Sequence, residues 1–143
     1  MKRALVLLTM TAVVTGCRAA PTGLGVEEVA RLSQFVYPQR ATDGPDLDIV
    51  VARRGRSIHL ANRTPRTYHH MQVWLNQQYV HPVEQVAIGT DNLISLRQFI
   101  NRHRESFPVG SFLRPEKSFP VVLAELYDPE ADVRYRLIVQ PLN

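Results

Sequence analysis

Short β-forming runs recur at regular intervals from residue 47 onward, and they restrict the folds open to this chain. Six or seven runs of strand-forming residues, several of which alternate apolar with polar side chains, are separated by hairpin signals such as Arg54-Gly55. Strands joined by tight turns pair antiparallel, and many such strands bury their apolar faces in a sandwich. We therefore expect a mainly β protein, built as an antiparallel sandwich. The runs cover residues 47–52, 57–62, 68–75, 78–82, 83–88, 121–127 and 133–139.

One turn sets the expected pairing in the middle of this sheet. Asn76 and Gln77 fit a two-residue hairpin turn, because asparagine tolerates positive φ. That turn would place Trp74 opposite Tyr79 on one face. A tryptophan on a central strand is typical of immunoglobulin-like domains, and fibronectin-III-like domains reach the same architecture without a disulfide. By analogy we expect an immunoglobulin- or fibronectin-III-like sandwich over residues 46–143.

Two segments carry the three-and-four spacing of apolar residues that indicates a helix. The first covers residues 26–38 and ends at Pro38. The second covers residues 96–104 and opens on the capping-box pattern Ser95-Leu96-Arg97-Gln98. We expect a leading helix before the β domain and one short helix in its later half. Whether the leading helix packs on the domain, on a membrane or on a partner stays open.

The first seventeen residues have the layout of an export signal. A basic start at residues 1–3 precedes an apolar run over 4–14, shorter than the roughly 20 residues that a bilayer-spanning helix needs. The exit resembles the lipobox of bacterial lipoproteins, Val14-Thr15-Gly16-Cys17. The resemblance implies that signal peptidase II cuts between Gly16 and Cys17 and that Cys17 carries diacylglycerol.

This resemblance also implies a location. Residues 1–16 would be the signal peptide, and residues 17–25, rich in small residues, would be a lipidated flexible tether. Each buried acyl CH₂ contributes about 0.8 kcal/mol, so several chains on Cys17 hold the protein at a membrane. In a Gram-negative source, Arg18 in place of aspartate favours the outer membrane. The domain would lie outside the cytoplasm.

Composition and motifs argue against several kinds of function. The chain has 17 Lys+Arg and 13 Asp+Glu, and without Lys2 and Arg3 the excess is 15 against 13, too small to indicate nucleic-acid binding. The single cysteine excludes a disulfide framework and a cysteine-rich zinc site. No serine lies in a GxSxG or SxxK pattern, and no glycine-rich phosphate loop is present. The stretch from Ile58 to Glu125 resembles small bacterial envelope lipoproteins through its hairpin VWLN..YV and its strand PVVLAEL, a likeness that implies no activity.

We therefore expect a non-enzymatic binding or assembly module without a cofactor, whose partner is an envelope protein or polymer. Arginines border the first predicted hairpin and offer it a basic surface. Such a surface would meet anionic headgroups or polymers, although loops of soluble domains also carry arginine without a partner. These arginines are Arg53, Arg54, Arg56, Arg63 and Arg66.

Aromatic, histidine and acidic side chains define the remaining candidates. Trp74 and Tyr79 could line a recognition surface, because large amphipathic rings suit one, or they could pack within the sheet. The alternative to a binding module is a small envelope hydrolase or metal-binding protein that uses His59 and His70 with a nearby acid. Glu125 lies in an apolar run, where alternation leaves its burial open.

Overall fold

The fold is mainly β, as the sequence predicts. The structure is a computed structural model that describes residues 23–89, 91–111 and 114–141, so the predicted signal peptide, Cys17 and most of the predicted tether lie outside the described residues. Within these ranges the chain forms helix α1 (Val26–Leu32), a 3₁₀ turn (Leu96–Gln98) and ten strands. The strands are β1 (Thr42–Asp43), β2 (Leu47–Arg54), β3 (Ser57–Asn62), β4 (Tyr68–Leu75), β5 (Tyr79–Val86), β6 (Asp91–Ser95), β7 (Val109–Ser111), β8 (Arg114–Ser118), β9 (Ala124–Asp128) and β10 (Val133–Gln140).

A single mixed sheet holds all of these strands except β7 and β8, which form a separate hairpin. The strand order is β5-β4-β9-β10-β2-β3-β6, and β1 also pairs with β10. The first half of β10 pairs antiparallel with β9, whereas its second half pairs in parallel with β2, and the register breaks between Leu137 and Ile138. The expected purely antiparallel pairing is therefore corrected to a mixed sheet that wraps a common core.

The predicted runs 78–82 and 83–88 are one strand, β5, with Pro82 inside it. Proline cannot donate to a strand ladder, and it is tolerated here because β5 is an edge strand of the sheet. The sequence reading missed β6, because the polar Asp91 and Asn92 resemble a turn.

The leading helix is shorter than the 26–38 predicted, because α1 ends at Leu32. Val29 and Leu32 pack against Ile100 in a small cluster of their own, so the helix lies on the domain. Beyond Leu32 the chain leaves the helix through a turn at residues 33–34 and continues as an irregular segment. It does so because Tyr37 buries its ring against the sheet rather than continuing the helix face.

The second predicted helix, 96–104, is reduced to the 3₁₀ turn at Leu96–Gln98. Ser95 makes no side-chain cap, so the capping-box prediction is wrong. Ile100 instead joins the sheet edge: its N–H donates to the Val80 carbonyl at 3.1 Å and its carbonyl accepts from the Val80 N–H at 3.0 Å. These tertiary hydrogen bonds and the complete burial of Phe99 outweigh local helix propensity.

The β4–β5 turn is one residue longer than predicted. Asn76 and Gln77 both adopt positive φ, of 50° and 60°. Leu75, rather than Trp74, faces Tyr79, so the predicted Trp74–Tyr79 pair is wrong. A slip of one residue moves side chains to the other face. Tyr79 therefore packs inside the core, and Trp74 lies on the outer face of the sheet.

The Asn76 side chain joins this turn to the segment before β9. Its amide nitrogen donates to the Pro120 carbonyl at 2.9 Å, and its oxygen accepts from the Val122 and Leu123 N–H groups at 2.9 and 3.2 Å. The hairpin VWLN..YV and the strand PVVLAEL, recognised separately in the sequence, are therefore linked through one side chain.

Candidate ligand-binding groove

The segment that follows α1, residues 33–41, crosses the outer face of β4, β9 and β10; we call it the covering segment. Tyr37 is its main contact. The Tyr37 and Trp74 rings meet edge to face, with centroids 5.4 Å apart and planes at 80°. The Tyr37 hydroxyl donates to Glu125 Oε2 at 2.7 Å and accepts from Arg134 Nη1 at 2.8 Å. The covering segment is thereby held on the sheet by both packing and polar contacts.

Glu125 is buried, which settles the question that alternation left open. Glu125 is only 5% exposed, because the covering segment lies over a sheet face that would otherwise meet solvent. Glu125 Oε1 lies 3.3 Å from Arg134 Nε, so the buried carboxylate has a counter-charge. Arg134 also binds Asp43 and donates to the Pro38 carbonyl at 3.2 Å. Glu125 and Arg134 therefore form a structural ion pair that fastens the covering segment.

The Tyr37 phenol is expected to ionise later than an ordinary tyrosine. Burial, together with its hydrogen bond to Glu125, raises the pKa of Tyr37 from 10.0 to about 12. Because the folded protein holds the protonated phenol, this contribution to stability is present below pH 10.0 and is lost as the pH rises toward about 12. Denaturant titrations should show a smaller fall in the free energy of unfolding over this interval in Tyr37→Phe than in the wild type. Equal falls would contradict the assignment.

A groove of about 480 Å³ opens where the covering segment meets the β4–β5 turn and the turn after Ile100. Trp74 contributes to its wall although the residue is only 2% exposed, and Val36, 84% exposed, stands at its rim. The lining therefore combines aromatic rings and aliphatic groups with side-chain amides. The lining residues are Ser33, Phe35, Val36, Tyr37, Gln39, Trp74, Gln77, Gln78, Asn101, Arg102 and His103.

The charged part of the groove comes from the turn after Ile100. Asn101 shapes this turn, since its side-chain oxygen accepts from the His103 and Glu105 N–H groups, each at 2.9 Å. Arg102 Nε donates to His103 Nε2 at 3.2 Å. Arg102 gives this part of the groove a positive charge, while the Glu105 carboxylate lies one hydrogen bond behind it, where its Oε2 accepts from Asn101 Nδ2 at 2.9 Å. Sequence reading missed this turn, because residues 101–103 were assigned to the interior of a helix.

The two residues of the predicted aromatic surface, Trp74 and Tyr79, lie in different parts of the structure. Trp74 packs on the sheet face, 2% exposed, and also borders the groove. Tyr79 does not, because it lies in the core with its ring centroid 5.0 Å from that of Phe107. Tyr37, which lies in the predicted helix 26–38, and Phe35 supply the other aromatic rings of the groove.

The arginines near the first hairpin do not form one cluster. Arg53 Nε donates to the Gly55 carbonyl at 3.0 Å, and its Nη1 donates to the Phe119 carbonyl. Burial lowers the pKa of this guanidinium. Arg54 and Arg56 are exposed, and Arg54 points to the opposite face from Arg53 because successive strand residues alternate. Arg53 is thus used within the fold, whereas Arg54 and Arg56 remain available at the surface.

The structure does not bring His59 and His70 together. His59 lies in β3 and His70 in β4, and three strands, β9, β10 and β2, separate them in the sheet. His70 Nδ1 instead lies 3.2 Å from an exposed Glu84 carboxylate. Among the described residues, no group of three His, Cys, Asp or Glu side chains is placed to hold a metal ion.

Comparison with known proteins identifies no relative. No family model, curated protein or solved structure matches this chain. Within the described ranges, α1 and the other helical residues are too short or too polar to cross a bilayer.

Proposed function

We propose that this chain is a lipid-anchored cell-envelope protein whose folded part is a non-enzymatic binding module. The anchor rests on the lipobox Val14-Thr15-Gly16-Cys17 and on Cys17 being the sole thiol of the chain. Arg18 favours the outer membrane if the source is Gram-negative. A tether of residues 17–25 keeps the module near its membrane, which raises the effective concentration of any partner in the same layer.

The groove beside Trp74 is the observation that carries the binding role. Its volume of about 480 Å³ lies within the range of roughly 300–1,000 Å³ found for ligand sites. Its wall has the rings of Tyr37 and Trp74, and the buried Glu125–Arg134 pair and Asn101 hold two of its sides in place. Such a pre-organised site loses little conformational freedom on binding.

The chemistry of the groove favours a segment of an envelope protein. Phe35, Val36 and the two rings suit an apolar side chain, and the amides of Gln77 and Gln78 suit a peptide backbone. The Arg102 guanidinium favours an acidic group beside that apolar side chain. We therefore assign the groove an acidic, extended polypeptide segment as its occupant.

We further infer an immunoglobulin-like topology within the mixed sheet. The neighbouring strands β2-β3-β6 follow the order A-B-E of that architecture, and β5-β4-β9-β10 follow C′-C-F-G. The exposed loops at the ends of such a sandwich commonly recognise partners, which agrees with a binding module.

Site-specific photo-crosslinking in intact cells tests this proposal. A photoreactive residue at Val36 or Gln78, both exposed at the groove, should capture one discrete polypeptide. The matched control is Leu93, 63% exposed but on β6, away from the groove. Capture only of glycan at the groove positions, or the same polypeptide yield from Leu93, would contradict an acidic protein segment as the occupant.

A further inference from the structure

The outer face of β2 and β3 carries a second depression, separate from the groove. Ala52 pairs with His59 and Val50 pairs with Ala61, so small side chains occupy two adjacent rungs of this face. They leave a shallow hollow of about 220 Å³, which Gln140 of β10 borders. Because β4 and β9 form the other half of the sheet, this hollow and the groove lie on different outer faces.

Three basic side chains line this hollow. Arg54 and Arg63 stand at its two ends, and His59 lies between them. The lining described by the structure includes no carboxylate, and neither guanidinium takes part in an ion pair among the described residues. Asp48 is linked to Arg63 through its backbone carbonyl, at 2.9 Å from the Arg63 N–H. Arg54 and Arg63 therefore border one small depression whose described lining holds no opposite charge.

We propose that this hollow binds a phosphate group, with Arg54 and Arg63 as its two clamps and His59 as a further donor. A guanidinium is planar, keeps its charge and offers paired N–H donors that match phosphate oxygens. The small side chains of Ala52 and Ala61 let the phosphate approach the sheet between the two guanidinium groups. Arg53 takes no part, because its guanidinium is held by the Gly55 and Phe119 carbonyls.

The shape of the hollow indicates how the phosphate is presented. It is open and shallow, so it suits a terminal phosphate on a larger molecule or free phosphate, rather than an enclosed nucleotide. A lipid headgroup and free phosphate share this chemistry. The site is independent of the groove, so its failure would leave the proposed partner-binding role untouched.

Phosphate titration of the protein purified from envelopes in neutral detergent tests the site. Inorganic phosphate should bind saturably, and among the five histidines the largest imidazole chemical-shift change should fall on His59. The double variant Arg54→Ser/Arg63→Ser should raise the dissociation constant for phosphate about tenfold or more. The control Arg56→Ser/Arg66→Ser removes the same charge from the same region and should change it less than about twofold.

Nanodiscs separate the two sources of phosphate. If a lipid headgroup is the ligand, the His59 change appears in nanodiscs that contain phosphatidic acid, without added phosphate. If free phosphate is the ligand, the change appears only after phosphate is added. The proposal is overturned if His59 responds to neither, if the response survives Arg54→Ser/Arg63→Ser, or if both double variants weaken binding equally.

Discussion

Replacing Glu125 with alanine is expected to lower the free energy of unfolding by about 3 kcal/mol, because it leaves a largely buried guanidinium without its buried counter-charge. The Arg134 side chain is 14% exposed, and the Tyr37 hydroxyl loses its acceptor in the same step. The covering segment should loosen from β9 and β10. Urea titration followed by the fluorescence of Trp74, the single tryptophan, measures both effects.

The matched control removes the other carboxylate that Arg134 binds. Asp43 is 76% exposed, so Asp43→Ala should cost less than about 1 kcal/mol. Glu125→Gln keeps the shape and one acceptor and should fall between the two. A cost for Glu125→Ala no larger than that for Asp43→Ala would show that the buried pair does not fasten the covering segment.

Trp74→Ala is expected to destabilise the fold by about 3–5 kcal/mol, the cost of removing a large buried ring. The ring is nearly inaccessible and packs edge to face with Tyr37, so its loss leaves a cavity under the covering segment. Thermal unfolding monitored by far-UV circular dichroism measures this cost without the tryptophan signal. Trp74→Phe, which keeps an aromatic ring, should lose less.

Val36→Ala provides the control for Trp74→Ala. Val36 lines the same groove but is 84% exposed, so its truncation should change the free energy of unfolding by less than about 0.5 kcal/mol. Trp74→Ala therefore tests the stability of the groove wall, whereas Val36→Ala removes a groove side chain with little effect on that stability. Equal costs would mean that Trp74 does not support the groove.

The strands were the part of the fold that the sequence predicted best. The alternation around Ile58 and Leu60, for example, reports which side chains are buried, and the structure places both in the core. Alternation does not report which strand lies alongside. The parallel pairing of β2 with β10 joins residues such as Val50 and Ile138, far apart in sequence, and no local signal marks it.

The helices show where tertiary contacts override local signals. Residues 96–104 have the spacing of a helix, yet Ile100 exchanges two hydrogen bonds with Val80 and the chain there is extended. For the same reason, the sequence did not predict the turn that brings Arg102 and His103 to the groove. A local pattern could not predict this turn, because the hydrogen bonds that stabilise it come from Val80, twenty residues earlier in the chain.

The position of Trp74 depends on the register between β4 and β5. The residue types in the turn did not determine whether it contains two residues or three. Asn76 was identified as a turn residue, and its positive φ agrees with that. One extra residue in the turn nevertheless separated Trp74 from Tyr79 and placed them on opposite faces. The sequence therefore paired Trp74 with Tyr79, whereas in the structure the Trp74 ring packs against Tyr37.

Mass spectrometry of the N-terminal peptide of the protein purified from envelopes tests the central claim, the lipid anchor. We expect a peptide that begins at Cys17 and is heavier than its sequence by a diacylglyceryl group and an amide-linked acyl chain. Cys17→Ser should lose this modification and keep its leader. A peptide with a free Cys17 thiol, or a mature chain that begins at another residue, would contradict the account.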